Sequence, residues 1–283
     1  MGDLRNKISS VAKNNLAEPY QFLYQLRETW RIKRQEIFKY KYNKERYPGL
    51  FLQNDFEPFP DIESKLDRVI YCFWTGDNEM SENRKRGYQS LVDNSGMEVK
   101  LITLENLQEY ILPNYPLHPA YENLSLVHKS DYLRCYFMHF HGGGYQDIKY
   151  NENNWIESFD NLSSKGDKWI LGYTELNGKG MGRGQGIIDK DLQYYYRHCI
   201  GTGGFICKSN TLFTSQWYLE LLRRMDYYEQ ALKENPGDIK GRNEGYPIRL
   251  LHILSQIWAP LCLKYREHII HDNRVLPILT NYQ

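Results

Sequence analysis

Two charged residues that could do chemistry, Asp147 and Lys149, follow three consecutive glycines in the stretch HKSDYLRCYFMHFHGGGYQDIKY, residues 128–150. The residues after the glycines predict a short β-strand, in which side chains alternate between two faces. Tyr145, Asp147 and Lys149 are therefore expected on one face, near the carboxyl end of the strand. In open α/β sheets, ligands bind at that end. A carboxylate there can hold a metal ion, and an ammonium can hold a phosphate.

A second carboxylate, Asp131, lies on one face of the helix that is predicted before the glycines. By three- and four-residue spacing, that face also carries Val127, Arg134, Cys135 and Met138. Burying a carboxylate on a mostly apolar face is costly unless the group is paired, and Arg134, one turn away, is the obvious partner. The two residues predict either a local structural salt bridge or a charged pair at a ligand pocket.

The glycines at 142–144 can end this helix with a positive φ and reverse the chain. They also let the backbone approach a ligand closely, which makes Gly143 and Gly144 candidates for ligand binding. Because helices often end in glycine for structural reasons alone, both interpretations stay open at this point.

The surrounding pattern predicts the elements that would position these residues. From residue 68 onward, short apolar runs typical of buried strands alternate with helical patterns. This order predicts an α/β fold with a mostly parallel central sheet. The predicted strands are RVIYCFW, MEVKLIT, GYQDIKY, KWILGYTE and TGGFICK. The predicted helices run from a Ser81 cap to about residue 92, from a Thr103 cap through LENLQEYI, and over about 124–140, 212–233 and 248–258, the last ending at Pro260.

The first part of the chain has a different character. Apolar residues at helical spacing predict a helix over residues 19–43, and residues 27–46 carry eight Lys or Arg against three Glu, a net charge of +5. Such a face could rest on an anionic membrane surface or a lipid-linked substrate, or be the solvated face of a docked helix. We therefore predict an N-terminal helical extension, residues 1–60, before an α/β domain, residues 61–283.

The composition excludes several classes of protein. The net charge of +1 over 283 residues argues against a nucleic-acid binder dominated by phosphate contacts. The five cysteines are scattered without a CxxC pair, which predicts neither a disulfide framework nor a zinc site. No apolar run is long enough to span a bilayer, and no signal-peptide pattern opens the sequence. These features favour a cytoplasmic protein, with peripheral membrane contact through residues 27–46 as an option.

The segment SDYLRCYFMHFHGGGYQDIKY resembles the signature of sugar-transferring enzymes of the GT-A fold, closest to family 32 glycosyltransferases and bacterial capsular polysaccharide synthesis proteins. Their pattern is S-D-x-x-R, an apolar helix, G-G, an aromatic residue and D-x-D. It is matched here by Ser130, Asp131, Arg134, Gly143, Gly144, Tyr145 and Asp147. VIYCFWTGDN resembles the first strand and donor-binding loop of these enzymes, and GYPIRLLHILSQIWAPL resembles their C-terminal region. The resemblance covers about residues 68–263.

This resemblance implies a glycosyltransferase of the Rossmann-like GT-A fold that uses a nucleotide-sugar donor, a UDP-sugar, and a free or lipid-linked glycan acceptor. It implies retention of anomeric configuration and a place in surface polysaccharide synthesis. In relatives the D-x-D carboxylates hold Mn²⁺ or Mg²⁺ on the donor diphosphate, whose developing charge needs a counter-charge. The implied roles are metal binding for Asp147, ribose or sugar binding for Asp131 and Arg134, and contacts to base and ribose for Tyr71, Phe73, Trp74 and Gly76.

The sequence departs from the family pattern where the second carboxylate of D-x-D is Lys149. An ammonium cannot ligate a metal and repels a nearby cation. Either Asp147 holds the metal with phosphate oxygens, water and a downstream ligand, or Lys149 itself neutralises the diphosphate and no metal is needed. Relatives often place a metal-binding His-Pro near the end, where this chain has Ala259-Pro260. Lys149 and Ala259 leave open a catalytically inactive homologue that binds nucleotides or sugars.

The last candidates follow the predicted strand KWILGYTE. Glu175 ends this strand and is a candidate acid or base, with Asp189 and Asp191 as weaker ones. The segment NGKGMGRGQG, residues 177–186, predicts either a mobile loop from which Arg183 could reach a phosphate or an ordinary surface loop. A Rossmann dehydrogenase is disfavoured, since no GxGxxG joins a strand to a helix.

Overall fold

The computed structural model of the chain describes residues 26–31, 33–35, 40–178, 181–182 and 184–280. The chain divides into two compact units, Met1–Tyr42 and Asn43–Gln283. In the first unit, residues 26–31 and 33–35 are helical, in agreement with the predicted helix, but residues 40–42 are not, so that helix ends earlier than predicted. Its other predicted positions, and part of the basic run at 27–46, lie outside the described residues.

Residues 43–60 belong to the second unit rather than to the first. The Arg46 guanidinium pairs with the Asp191 carboxylate at 2.7 Å, so one charge of the predicted basic face is neutralised within this unit. The Gln216 amide donates to the Phe51 carbonyl at 3.2 Å. These contacts dock the segment onto the α/β unit before the sheet begins.

The second unit is built on a six-stranded sheet. Its strands are β1 (Val69–Phe73), β2 (Glu98–Ile102), β3 (Gly143–Gln146), β4 (Ile170–Thr174), β5 (Ile200–Cys207) and β6 (Ile269–His271). They lie in the order β2-β1-β3-β5-β4-β6. β1 is parallel to β2 and β3, and β4 is parallel to β6, whereas β5 is antiparallel to β3 and β4. The predicted α/β class with a mostly parallel sheet is confirmed.

The helices connect these strands, as the alternating pattern predicted. They are α1 (Glu82–Asn94), α2 (Leu126–Phe140), α3 (Ile156–Ser163), α4 (Ile187–Tyr194), α5 (Leu212–Glu234) and α6 (Ser255–Lys264). The Ser81 hydroxyl accepts from the Arg84 backbone N–H and caps α1, which confirms that prediction. Ser125 caps α2 in the same way through the His128 N–H. α2 packs against both β3 and α5, and every residue from 131 to 140 is buried.

Three predicted elements differ from the structure. Only a 3-10 helix, Leu107–Tyr110, forms after Thr103, because the Asn106 side chain accepts from the Thr103 N–H and holds a turn there. The last helix begins at Ser255 and carries Pro260 inside it instead of ending there. β3 stops at Gln146, because the chain turns and the Lys149 N–H donates to the Asp147 carbonyl at 2.6 Å.

All five cysteines are buried and free, in agreement with the prediction that they form no disulfide framework. Among the described residues, no helix is both long enough and apolar enough to cross a membrane.

Candidate functional site

A cavity of about 660 Å³ lies at the carboxyl ends of β1 and β3. β2 lies on one side of β1 and β3 on the other, so the strand order reverses at β1 although the three strands are parallel. Such a switch point separates the connections that leave neighbouring strands and opens a crevice for ligands. Thr75 and Gly76 after β1, Asp147 and Lys149 after β3, and the start of α2 all line the cavity.

Asp147 is held in a network of charged and hydrogen-bonded side chains. Its Oδ1 accepts from the Tyr145 hydroxyl at 2.6 Å and from Arg134 Nη2 at 3.2 Å. Its Oδ2 accepts from Lys149 Nζ at 2.8 Å. Burial alone would raise the pKa of Asp147, but the charges of Arg134 and Lys149, with the hydrogen bonds, hold it below its usual range. Asp147 is therefore an ionised carboxylate with donors at both oxygens.

Arg134 links α2 to the end of β3. Its Nη1 donates to the Thr202 carbonyl at 2.8 Å, and its Nη2 donates to the Tyr145 hydroxyl at 2.7 Å. The guanidinium carbon lies 4.2 Å from the centre of the Tyr145 ring, within range of a cation–π contact. The predicted pair with Asp131 is present at 3.6 Å. Because several acceptors hold the guanidinium in place, it would not have to move when an anion enters the cavity.

Asp131, on α2, also lines the cavity, but fewer donors contact its carboxylate than contact that of Asp147. Among the described residues, its polar side-chain contact is the 3.6 Å ion pair with Arg134. Burial raises the pKa of Asp131 to about 7, against the attraction of Arg134, and the charge of Asp147 acts in the same direction as burial. This carboxyl is thus ready to exchange a proton near neutral pH and to donate or accept a hydrogen bond.

The charges around the cavity are mostly positive. Its carboxylates, among the lining residues that the structure describes, are Asp131 and Asp147. Five cationic side chains share the lining: Arg84, Arg134, Lys149, Lys240 and Arg242. Fixed cations that outnumber carboxylates in a partly buried site favour an anionic ligand.

Lys240 and Arg242 reach the cavity on a loop that is tied to the start of α2. The Leu126 and Val127 N–H groups donate to the Asp238 and Ile239 carbonyls, both at 3.3 Å. The Asp238 carboxylate also accepts from the Lys240 backbone N–H at 2.9 Å. The loop therefore has a defined conformation beside the helix that carries Asp131 and Arg134.

Apolar and aromatic groups form another wall, and Phe73, Trp74 and Gly76 all line the cavity. The Phe73 ring stacks on Tyr145 with 5.4 Å between centroids and 22° between planes. The Trp74 indole N–H donates to the Asn78 carbonyl at 2.7 Å. A Cβ on Gly76 would stand 2.8 Å from a methyl of Leu126, so glycine keeps this corner open. This wall suits the flat face of a base or a sugar.

Three residues predicted to bind the donor lie elsewhere. Tyr71 is buried and packs edge-to-face on Phe137, with 5.0 Å between centroids, and it does not line the cavity. Gly143 and Gly144 lie at the amino end of β3, away from Asp147. Gly143 has a φ of +96°, and a Cβ there would stand 2.8 Å from the Val69 carbonyl oxygen. The glycines therefore serve chain reversal and close strand packing, not ligand contact.

Glu175 was predicted to end this strand, but β4 ends at Thr174, and Glu175 follows it without lining the cavity. Its Oε1 accepts from the Leu176 N–H at 2.8 Å, and burial raises its pKa. Asp191 accepts from Arg46 and, at 2.7 Å, from the Tyr47 hydroxyl, which is a structural role. Arg183 lies outside the described residues. Gly178 and Gly182, from the glycine-rich segment, pack against α4.

Sequence reasoning missed Arg84, Lys240 and Arg242. Arg84 left a readable signal, since it lies in the first turn of α1, where the helix dipole disfavours a cation. A locally unfavourable charge of this kind indicates a role in the site. Lys240 and Arg242 are distant in sequence from every motif residue, so only the fold brings them to the cavity.

The fold and the cavity together define an α/β protein with a mostly cationic cavity at the switch point of its sheet. Residues 19–148 match the family model of capsular polysaccharide synthesis proteins, which confirms the resemblance to that family and supports a role in polysaccharide biosynthesis. The match includes Asp131, Arg134 and Asp147 and ends immediately before Lys149. No protein among those with curated annotation matches the chain.

Proposed function

We propose that this protein is a glycosyltransferase of the GT-A type, which transfers a sugar from a UDP-sugar to a glycan acceptor during polysaccharide synthesis. The observation that carries this proposal is the convergence of Asp131, Arg134 and Asp147 on a cationic cavity at the switch point. Its volume lies within the range of about 300–1,000 Å³ typical of small-ligand sites. The family match supports polysaccharide synthesis as the setting.

In this proposal each of the two walls of the cavity binds a different part of the donor. Phe73 and Trp74 hold the base and ribose, and the cationic residues hold the diphosphate. Asp131, with its pKa near 7, hydrogen-bonds a hydroxyl of the ribose or sugar. The acceptor is a free or lipid-linked glycan, whose hydroxyl approaches the anomeric carbon.

The proposed chemical step takes the retaining course that the family resemblance implies. The bond between the anomeric carbon and the diphosphate oxygen breaks, and the electron pair leaves with the diphosphate. The acceptor oxygen bonds to the same face of the sugar, which retains the configuration, and its proton passes to the departing phosphate oxygen. Cations fixed around the diphosphate stabilise the charge as it develops. Glu175 has no part in this step because it lies outside the cavity.

A catalytically inactive binding homologue is the second candidate, favoured by the 2.8 Å pair between Asp147 and Lys149. The two candidates are distinguished by incubating the protein with UDP-sugars and measuring both binding and release of UDP. A transferase releases UDP, slowly by hydrolysis and faster with an acceptor glycan. Binding without release would identify the inactive homologue, and no binding of any UDP-sugar would reject the proposed donor.

A pair of surface variants locates the binding at this cavity. Lys240→Gln removes one exposed cation from the lining, and Lys233→Gln removes an exposed cation of α5 that pairs with Glu229. Only the first is expected to weaken UDP binding and to reduce its dependence on salt. Equal affinity of both variants would place the nucleotide elsewhere.

A further inference from the structure

We propose that Lys149 and the neighbouring cations, rather than a divalent metal ion, neutralise the donor diphosphate in this protein. The proposal rests on the proposed function and deepens it. The family pattern implies a metal held by two carboxylates, and the residues present here do not fit such an ion.

The first mismatch is at Asp147, whose two oxygens are already engaged. Oδ1 accepts from Tyr145 and Arg134, and Oδ2 accepts from Lys149 at 2.8 Å. Mg²⁺ and similar cations take six or more oxygen ligands at about 2.0–2.6 Å. An ammonium at hydrogen-bond distance from the same oxygen stands where the cation would have to bind and repels it.

The second mismatch is that the described lining residues offer few carboxylates and no imidazole as further ligands. Asp131 is the other carboxylate among the described lining residues, and both carboxylates contact the same Arg134 Nη2, at 3.6 and 3.2 Å. A guanidinium charge therefore lies beside both groups that a bridging ion would need. The position where relatives often carry a histidine is Ala259, which is buried inside α6. No imidazole lines the cavity within the part of the chain that the structure describes.

His118, Asp226 and Glu229 form a possible metal cluster away from the cavity, but its hydrogen bonds argue against an ion there. His118 Nδ1 accepts from the Ala120 N–H, so its Nε2 carries the proton and donates to Asp226 at 3.0 Å. Glu229 is paired with Lys233 at 2.6 Å. This cluster is satisfied without a metal.

Lys149, in contrast, is well placed to act on a phosphate. Gln146 Nε2 donates to the Lys149 carbonyl at 3.2 Å, and the Lys149 N–H is bonded to the Asp147 carbonyl. The turn lies against α1 so closely that a Cβ on Gly87 would stand 3.0 Å from the Lys149 carbonyl carbon. Arg84 Nη1 donates to the adjacent Ile148 carbonyl at 2.6 Å and adds a second cation. Both charges are held before the ligand arrives, which is what stabilisation of a leaving group requires.

The test is calorimetric titration of UDP into the full chain, once with EDTA and once with Mn²⁺. The wild type is expected to bind with affinities equal within about twofold in both conditions. Lys149→Met, which keeps the length of the side chain, is expected to lose about tenfold or more of the affinity in EDTA, the cost of a charged hydrogen bond. Lys85→Met is the control, since Lys85 is exposed and paired with Glu79 outside the cavity.

A third variant, Lys149→Asp, restores the second carboxylate. It is expected to bind UDP weakly in EDTA and to recover affinity with Mn²⁺. Wild-type binding that requires Mn²⁺ overturns the inference and leaves the glycosyltransferase proposal standing. Unchanged affinity of Lys149→Met in EDTA overturns it as well. Absence of UDP binding under both conditions overturns both proposals. The comparison of EDTA with Mn²⁺ uses the wild type alone, so it remains a valid test even if a variant fails to fold.

Discussion

Arg134 on α2 and Asp147 after β3 form an ion pair of 3.2 Å at the floor of the cavity. The pair links α2 to the end of the central strand β3. Every residue of α2 from 131 to 140 is buried. One guanidinium thus has two tasks. It holds the two elements together and places positive charge in the lining of the cavity.

Arg134→Met tests the structural task. The change leaves Asp131 and Asp147 without their guanidinium partner in a buried site, so we expect the free energy of unfolding to fall by about 3–5 kcal/mol. Arg68→Met is the matched control, because Arg68 pairs with Asp160 on the surface, and about 1 kcal/mol or less is expected there. Urea unfolding followed by circular dichroism measures both. Equal losses in the two variants would show that the buried network contributes little.

Asp131 makes stability depend on pH. Its folded-state pKa is raised by burial to about 7, above its ordinary value of 3.8. Between these values the folded state binds more protons than the unfolded state, so this carboxyl lowers the stability as the pH rises from about 4 to 7. In Asp131→Asn we expect this part of the pH dependence to disappear. Urea unfolding of both proteins at pH 5 and pH 8 measures the difference, and parallel pH profiles would contradict the assignment.

Gly143→Ala tests whether that glycine is structural. Its φ of +96° and a Cβ position 2.8 Å from the Val69 carbonyl oxygen predict a loss of about 1–3 kcal/mol in the free energy of unfolding. The UDP affinity of the folded fraction should be unchanged. Gly166→Ala is the control, since a Cβ there meets nothing within 4 Å. A variant that folds with normal stability but no longer binds UDP would show that Gly143 contributes to the donor site.

Glu175→Gln tests whether the carboxylate that follows β4 is catalytic. Because Glu175 does not line the cavity, we expect UDP binding and the rate of sugar transfer to stay within about threefold of the wild type, far from the 10²–10⁴-fold effects typical of an acid or base. Asp147→Asn, measured beside it, should lose most of both properties. A large loss of kcat in Glu175→Gln with unchanged binding would make Glu175 a catalytic residue.

Local patterns predicted several elements of the fold and the pair between Asp131 and Arg134. The Ser81 cap, the apolar run of β1 and the spacing of Asp131 and Arg134 act over a few residues, and the structure confirms each. The predicted length of β3 was wrong, because an alternating sequence pattern does not show at which residue the pairing with adjacent strands ends. The cations on the loop after α5 were missed because their approach to α2 depends on packing between segments more than 100 residues apart in sequence.

The position of Pro260 shows a second limit. Proline usually ends a helix because it lacks an N–H, and this rule placed the end of the last helix too early. In α6 the ring lies among buried neighbours, from Gln256 to Leu263, and the burial of this apolar helix outweighs one lost hydrogen bond. Such a balance cannot be read from the residues next to the proline.

The antiparallel direction of β5 has a consequence for how the site can evolve. It brings the amino-terminal half of β5 beside the end of β3, where the Thr202 carbonyl accepts from Arg134 and the Gly203 carbonyl accepts from the Asp147 N–H. Every amino acid carries a backbone carbonyl, so the support at residue 202 does not depend on which side chain stands there. Many different side chains at residue 202 would therefore leave the charged groups of the cavity in their places.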